Sequence, residues 1–316
     1  MSASYDVVIV GGGAAGLSAA LVLGRARRRV AVVDAGAPRN APAAHMHGFL
    51  SRDGMPPAEL LAVGRSEVEE YGVELVDGEV AFVAAGFVVT LADGRTLRAR
   101  RLLVSTGVTD DVPDIPGVAE RWGNDLLHCP YCHGWEVRDQ PLGVIGWIPG
   151  SPLHAQLLRQ WSDDVVFFTH TYDLGDDERD QLAARGIEVV DGEVARLVVE
   201  DDRLVGVDLT DGRFVARTAV FIRPGNHPRR DGLLTGLGCE VGPTGFVTVD
   251  ASGRTSTPGL WAAGNAVDPR AQVISAAGAG SAAAIAINLD LVEEDVAAAV
   301  SARSAAGQGL TATSRP

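Results

Sequence analysis

Cysteine is scarce: three occur in 316 residues, Cys129, Cys132 and Cys239. That excludes a disulfide framework as the source of stability. Basic residues are outnumbered, 27 Lys and Arg against 41 Asp and Glu, for a formal net charge of -14. Nucleic acid and anionic membrane surfaces both demand a basic face, so neither is expected as a partner; small molecules and proteins remain. No basic, cleavable leader precedes the first apolar run in "MSASYDVVIVGGG", and the chain reads as cytoplasmic. Nor is there a convincing membrane-spanning run. Residues 271–289 are uncharged but mostly Ala, Gly and Ser with Asn and Gln, which predicts a packed helix. Cys129, Cys132 and His133 fall short of the four ligands of a structural zinc, and no metal is expected. Aromatic residues are few, at 5%, yet with 46% hydrophobic residues the length is enough for two domains, each with its own core.

The strongest pattern is "YDVVIVGGGAAGLSAALVLGRARRRVAVVDAG". A strand over 5–10 meets Gly11, Gly13 and Gly16 in GxGxxG spacing, a helix opens at Ala14 and Ala15, and a second strand over 30–33 ends at Asp34. This is a dinucleotide-binding βαβ unit: the glycines permit the turn and the approach of a pyrophosphate, and the helix start supplies amide donors. Asp34 stands where a carboxylate takes ribose hydroxyls. Short strands and an "LADG" hairpin follow, and the strand over 101–104 ends in Ser105, Thr106 and Gly107. The Pro-rich "VPDIPGV", 112–118, reads as a linker. A second βαβ-like pattern then appears ("PLGVIG", "SPLHAQLLRQW", "DDVVFFTH"), and its "LTDGR" repeats the earlier "LADGR". The two units suggest a duplication. The segment 305–316, "AAGQGLTATSRP", is expected to be disordered.

Between the units stands "HCPYCHGWE", 128–136. A CxxC in a cytosolic α/β chain reads as a redox dithiol. Cys239 has no partner in sequence and reads as a small buried or half-buried residue.

From residue 5 to about 296 the chain resembles the low-molecular-weight thioredoxin reductases: "GGGAAGLSAA", "STG", the CxxC and "TSTPGLWAAGN" occur in that order. The resemblance implies an α/β fold with two Rossmann-like nucleotide-binding domains. An FAD domain would be formed by residues 1–113 and 244–316, and an inserted NADPH-type domain, 114–243, would carry the dithiol. It implies FAD as cofactor, held by Gly11, Gly13, Ala14, Ala15, Gly16, Asp34, Thr106, Gly107, Gly264, Asn265, Gln272 and Val273, and a homodimer. Cys132 would face the flavin and Cys129 would exchange with the substrate.

Four departures from the reductases point one way. Their GGGNTA loop is replaced by "GWIPGS", so Trp147 and the β-branched Ile148 stand where a backbone must approach a pyrophosphate. Their basic HRRD-type cluster is replaced by "THTYDLGDDERD", whose acids repel a 2′-phosphate. His133 follows the second cysteine where the reductases have an aspartate; an imidazole can take a thiol proton and favour the thiolate. Asn265 replaces an aspartate more often found against the ribitol, keeping a donor and an acceptor.

Together these features resemble the thioredoxin reductase-like dithiol oxidases that close the disulfides of holomycin and gliotoxin. That implies a small-molecule dithiol, a holomycin-like dithiolopyrrolone as the best fit, oxidised through the CxxC and FAD with O2 as acceptor and H2O2 as product. His128 and Glu136 flank the site as further candidates. His45 and His47 lie in a loop read as packing against FAD. Three other readings stay open: a thioredoxin reductase fed by ferredoxin or a flavin, an NADPH-dependent thioredoxin reductase, and a non-catalytic flavin redox sensor.

Overall fold

The computed structural model describes residues 3–229 and 232–312, and the chain divides into two compact units. The first comprises Met1–Pro38, Leu60–Val108 and Pro228–Pro316; the second comprises Arg39–Glu59 and Thr109–His227.

The core of the first unit is a sheet in which Ala3–Val10 is central. It pairs in parallel with Val30–Asp34 on one side and Thr96–Val104 on the other, and Glu74–Asp77 extends the first edge. Leu260–Ala262 adds in parallel to Thr96–Val104. Where both faces are covered, at 7–10, 30–33, 102–104 and 260–262, the strands read as continuous apolar runs, as a parallel sheet requires. The helix Ala14–Arg25 covers one face together with the long helix Val273–Ala312. The two helices approach closely: a Cβ on Gly280 would lie 1.9 Å from the Ala15 carbonyl oxygen. By length and composition the stretch Val273–Ala305 could cross a membrane, but Ala276, Ala283, Ala284, Ile287 and Leu291 on it are buried in the unit's core. The helix continues to Ala312, so residues 305–312 are helical rather than disordered, and 313–316 lie outside the described residues.

The second unit repeats the plan. Leu142–Ile145 is flanked in parallel by Val165–Phe168 and Ala219–Ile222, with Glu188–Val190 and Leu126–Leu127 at the edges. The duplication extends to side chains. Leu91 and Leu209 each donate their amide across the hairpin to the carbonyl of Arg95 and Arg213. Each arginine pairs with the aspartate two residues before it, Asp93 and Asp211, and reaches back to a main-chain carbonyl, of Asp77 and Asp191 respectively.

The units divide at different places from those expected from sequence. Residues 39–59 pack with the inserted unit, because Arg39 grips Asp110 through two hydrogen bonds of 2.7 and 2.6 Å and Pro42 lies against Gly123. Residues 228–243 belong with the first unit, where Leu233, Leu234 and Cys239 are buried beside Val247 and Leu260.

Candidate active site

The glycine turn of the first unit is dictated by sterics. Gly11 has φ of 107°, and a Cβ there would sit 2.4 Å from the Ser105 carbonyl oxygen; one on Gly16 would sit 1.9 Å from the Gly11 carbonyl oxygen. By contrast, a Cβ on Gly13 would meet nothing within 4 Å. Open space therefore lies before the helix start at Ala14 and Ala15, where a pyrophosphate would be cradled. Asp34 ends the second strand, and its Oδ2 accepts from Arg65 at 2.5 Å. Arg65 and two neighbours were missed from sequence. Ser105 Oγ donates to the Gly11 carbonyl at 2.9 Å, fixing the turn, and Gly12 leaves room for the Asp34 carboxylate, which its Cβ would strike at 2.8 Å. Thr106 and Gly107 follow the end of Thr96–Val104. Gly264 takes φ of 68°, and Gln272 precedes Val273, the first residue of the long helix. The Asn265 amide donates to the carbonyls of both Asp268 and Ala271, at 2.9 and 3.0 Å. A carboxylate could donate to neither, so the change from the family's aspartate is explained by the turn it holds. This cradle suits a dinucleotide.

The dithiol lies in the second unit. Cys129 and Cys132 form a disulfide with a Cα separation of 5.2 Å; Cys129 precedes the single turn Pro130–His133 and Cys132 lies within it. Cys129 is buried and Cys132 half-buried. The following Gly134 lets Trp161 lie flat against this turn, since a Cβ would come within 2.9 Å of the indole. His128 is stacked on Trp122 with ring centroids 5.5 Å apart. Burial, then Arg39, pushes its pKa down to about 4. His133 is half-buried with a buried Nδ1 that has no partner among the described residues. Burial lowers its pKa; Glu136 opposes the shift and His47 adds to it. A neutral imidazole with an unpartnered ring nitrogen, next in sequence to Cys132, can act as a proton acceptor.

The histidine loop belongs to the second unit. His45 is exposed, but His47 belongs to the second unit, with Nε2 3.5 Å from Glu136 Oε1 and Nδ1 3.2 Å from Asp53 Oδ2. The loop therefore packs on the dithiol segment, carried there by the Arg39–Asp110 pair. Among the described residues no cluster of three His, Cys, Asp or Glu has the geometry of a metal site.

In the second unit's own loop, Trp147 and Arg223 stand beside Gly150. Trp147 Nε1 donates to the Arg223 carbonyl at 2.7 Å, and Arg223 Nη1 lies 2.0 Å from where a Cβ on Gly150 would be. Beyond Val165–Phe168, the helix Asp176–Ala184 opens with Asp176, Asp177 and Glu178. Arg179, the one arginine of this segment, is tied to Asp191 at 2.9 Å.

The family model for pyridine nucleotide-disulphide oxidoreductases matches residues 5–281. The chain belongs to this pyridine nucleotide-disulphide oxidoreductase family. Within the family it resembles the crystal structure of HlmI, at 60% identity and a TM-score of 0.94 over 96% of this chain and 97% of that one. It is 31% identical to thioredoxin reductase sirT of Leptosphaeria maculans over 93% of this chain and 96% of the relative. The crystal structure of a thioredoxin reductase TrxB from Bacillus anthracis superposes with a TM-score of 0.88, at 35% identity, over 92% of this chain and 99% of that one. The thioredoxin reductase-like fold read from the sequence is thus the observed one, and the subfamily resemblance stands. The protein is an FAD-dependent oxidoreductase acting on sulfur groups, and the cradle around Gly13 fits that cofactor.

Proposed function

We propose that this chain is a flavin-dependent dithiol oxidase that closes an intramolecular disulfide in a small-molecule dithiol, of the dithiolopyrrolone kind, with O2 as acceptor and H2O2 as product. The observation that carries this reading is the loop of the second unit, where Trp147 and Arg223 stand beside Gly150. Arg223 and Trp147 stand against the glycine turn where a nicotinamide dinucleotide would need space, and the acidic helix start beyond it disfavours a 2′-phosphate. Electrons then enter through the dithiol. The similarity to HlmI supports the same direction.

In this reaction one substrate thiol loses its proton to His133 and the sulfur attacks Sγ of Cys129. The Cys129–Cys132 bond breaks and Cys132 leaves as the thiolate. The second substrate sulfur displaces Cys129 and closes the product disulfide, leaving two electrons on the enzyme dithiol. FAD, when bound, supplies the two-electron acceptor that connects the dithiol to O2. Gly11, Gly13, Ala14, Ala15, Gly16, Asp34, Thr106, Gly107, Gly264, Asn265, Gln272 and Val273 would hold it. We assign the reaction to a cytoplasmic homodimer.

The test is anaerobic bleaching of the purified flavoprotein with NADPH or with a small dithiol, followed by air. Bleaching by the dithiol alone, with peroxide on aeration, is the expected result. Prompt bleaching by NADPH overturns the reading in favour of a reductase.

A further inference from the structure

Asp34 and Arg65 meet beside the glycine turn of the first unit, and both belong to that one compact unit. The Asp34 carboxylate ends its strand against Gly12, where a Cβ would lie 2.8 Å from both Cγ and Oδ2. Its Oδ2 accepts from Arg65 Nη2 at 2.5 Å, while Oδ1 has no hydrogen-bond partner among the described residues. Arg65 stands on the helix Pro57–Glu70 and places its other terminal nitrogen, Nη1, 3.5 Å from Asp77. The pair is largely shielded from water, the Asp34 side chain being 20% exposed and that of Arg65 29%.

This geometry resolves a conflict in the cofactor site. A carboxylate at the strand end suits ribose hydroxyls, but it touches the turn where a doubly negative pyrophosphate would be cradled. No side chain in the first turn of the following helix, Ala14 to Leu17, carries a charge to offset that repulsion, and the chain as a whole stands at -14.

We propose that Arg65 is a built-in counter-ion for Asp34: it cancels the carboxylate's charge toward the FAD pyrophosphate and leaves Oδ1 to accept the adenosine ribose. Arg65 acts on the cofactor through Asp34 and is a positioning residue. The proposal rests on the reading of the Gly11–Gly16 turn as the FAD cradle and is independent of the direction of electron flow.

Full-length protein freed of its flavin is titrated with FAD at about 10 and about 500 mM salt, with flavin fluorescence as the readout. Arg65→Ala should bind FAD about five- to twenty-fold more weakly than wild type at the lower salt, and the gap should narrow at the higher, where the repulsion is screened. Arg65→Lys keeps the charge and should stay within about three-fold of wild type. The decisive variant combines Arg65→Ala with Asp34→Asn. The amide keeps an acceptor oxygen and removes the charge, so the second change should restore affinity lost to the first. Circular dichroism and Tm report folding, and the uncharged Arg65→Gln, of similar reach, takes the place of Arg65→Ala if that variant unfolds. Wild-type affinity in Arg65→Ala overturns the proposal. So does a weakened Arg65→Ala that neither salt nor Asp34→Asn restores, because that pattern marks a residue that only props the helix against the strand. The cradle is tested apart, with an FAD analogue lacking both adenosine ribose hydroxyls. Wild type should prefer FAD, and equal affinity for the two overturns the ribose reading of Asp34 whatever the Arg65 variants show.

Discussion

Arg223 lies against Gly150, its Nη1 2.0 Å from the position a Cβ would take, at a residue with φ of 87°. Glycine is required there by the backbone; the guanidinium ends a flexible, exposed side chain that can move aside. Gly150→Ala should cost about 1–2 kcal/mol through the left-handed backbone alone. A fall in Tm of a few degrees would register it, while dithiol-dependent bleaching remains.

The first unit's turn leads to a sharper expectation. A side chain at residue 16 would collide with the Gly11 carbonyl at 1.9 Å, and main chain cannot yield cheaply. Gly16→Ala should therefore emerge from purification without yellow colour. Retention of a full complement of flavin, measured by absorbance, would contradict the assignment of the cradle.

The two cysteines should separate by what they trap. With Cys132→Ser, the free Cys129 thiolate should attack an added linear disulfide such as oxidised 2-mercaptoethanol, release one half as thiol and keep the other as a mixed disulfide visible as added mass; Cys129→Ser should give none. Both variants should lose turnover altogether. Cys129 is the buried sulfur, so this step requires the dithiol turn to open to the incoming disulfide. Trapping on Cys132 instead would reverse the two roles.

Burial holds the His133 pKa below the ordinary histidine value of 6.5, so the ring stays a proton acceptor as the pH drops through that value. Activity attributable to it should persist below pH 6.5 and disappear only as the ring finally protonates. His133→Ala should be slowed chiefly below pH 8, where the attacking thiols are mostly protonated. A pH–rate profile of kcat/KM identical to wild type would remove His133 from the reaction.

His128 and His154 set the acid limit of stability. Burial pushes both down to about 4 from an unfolded value near 6.5. Between those values the unfolded chain binds protons that the folded chain refuses. The stability contribution is therefore complete above about pH 6.5 and is lost as the pH falls toward 4, on the order of 3 kcal/mol per histidine. Urea denaturation at pH 7.5, 6 and 5 should show the decline, and His154→Leu should flatten it.

The glycine turns, the strands and the CxxC were legible because their constraints are local: a φ above zero at Gly11 or an apolar run in a two-sided sheet is visible in a few residues. The contacts of His47 were not legible for the opposite reason. Its position depends on Arg39 pairing with Asp110, 71 residues away, which draws the 39–59 segment out of the unit to which chain order assigns it. Arg65 on Asp34 and Arg223 over Gly150 were invisible on the same ground. "GWIPGS" showed that the loop had lost its phosphate-binding form, but the residue that would fill it lies on a distant strand end. Asn265 read as keeping a donor and an acceptor; which carbonyls the donor serves, those of Asp268 and Ala271, was visible only in the folded turn.

The proposed loss of nicotinamide binding at the loop around Trp147 and Arg223 has a physiological side. On the proposed reading, a catalyst without a seat for nicotinamide nucleotide is insulated from the cell's supply of reducing power. Starvation or oxidative stress that shifts that supply would leave its direction unchanged. Its pace would follow the arrival of substrate and the oxygen tension alone.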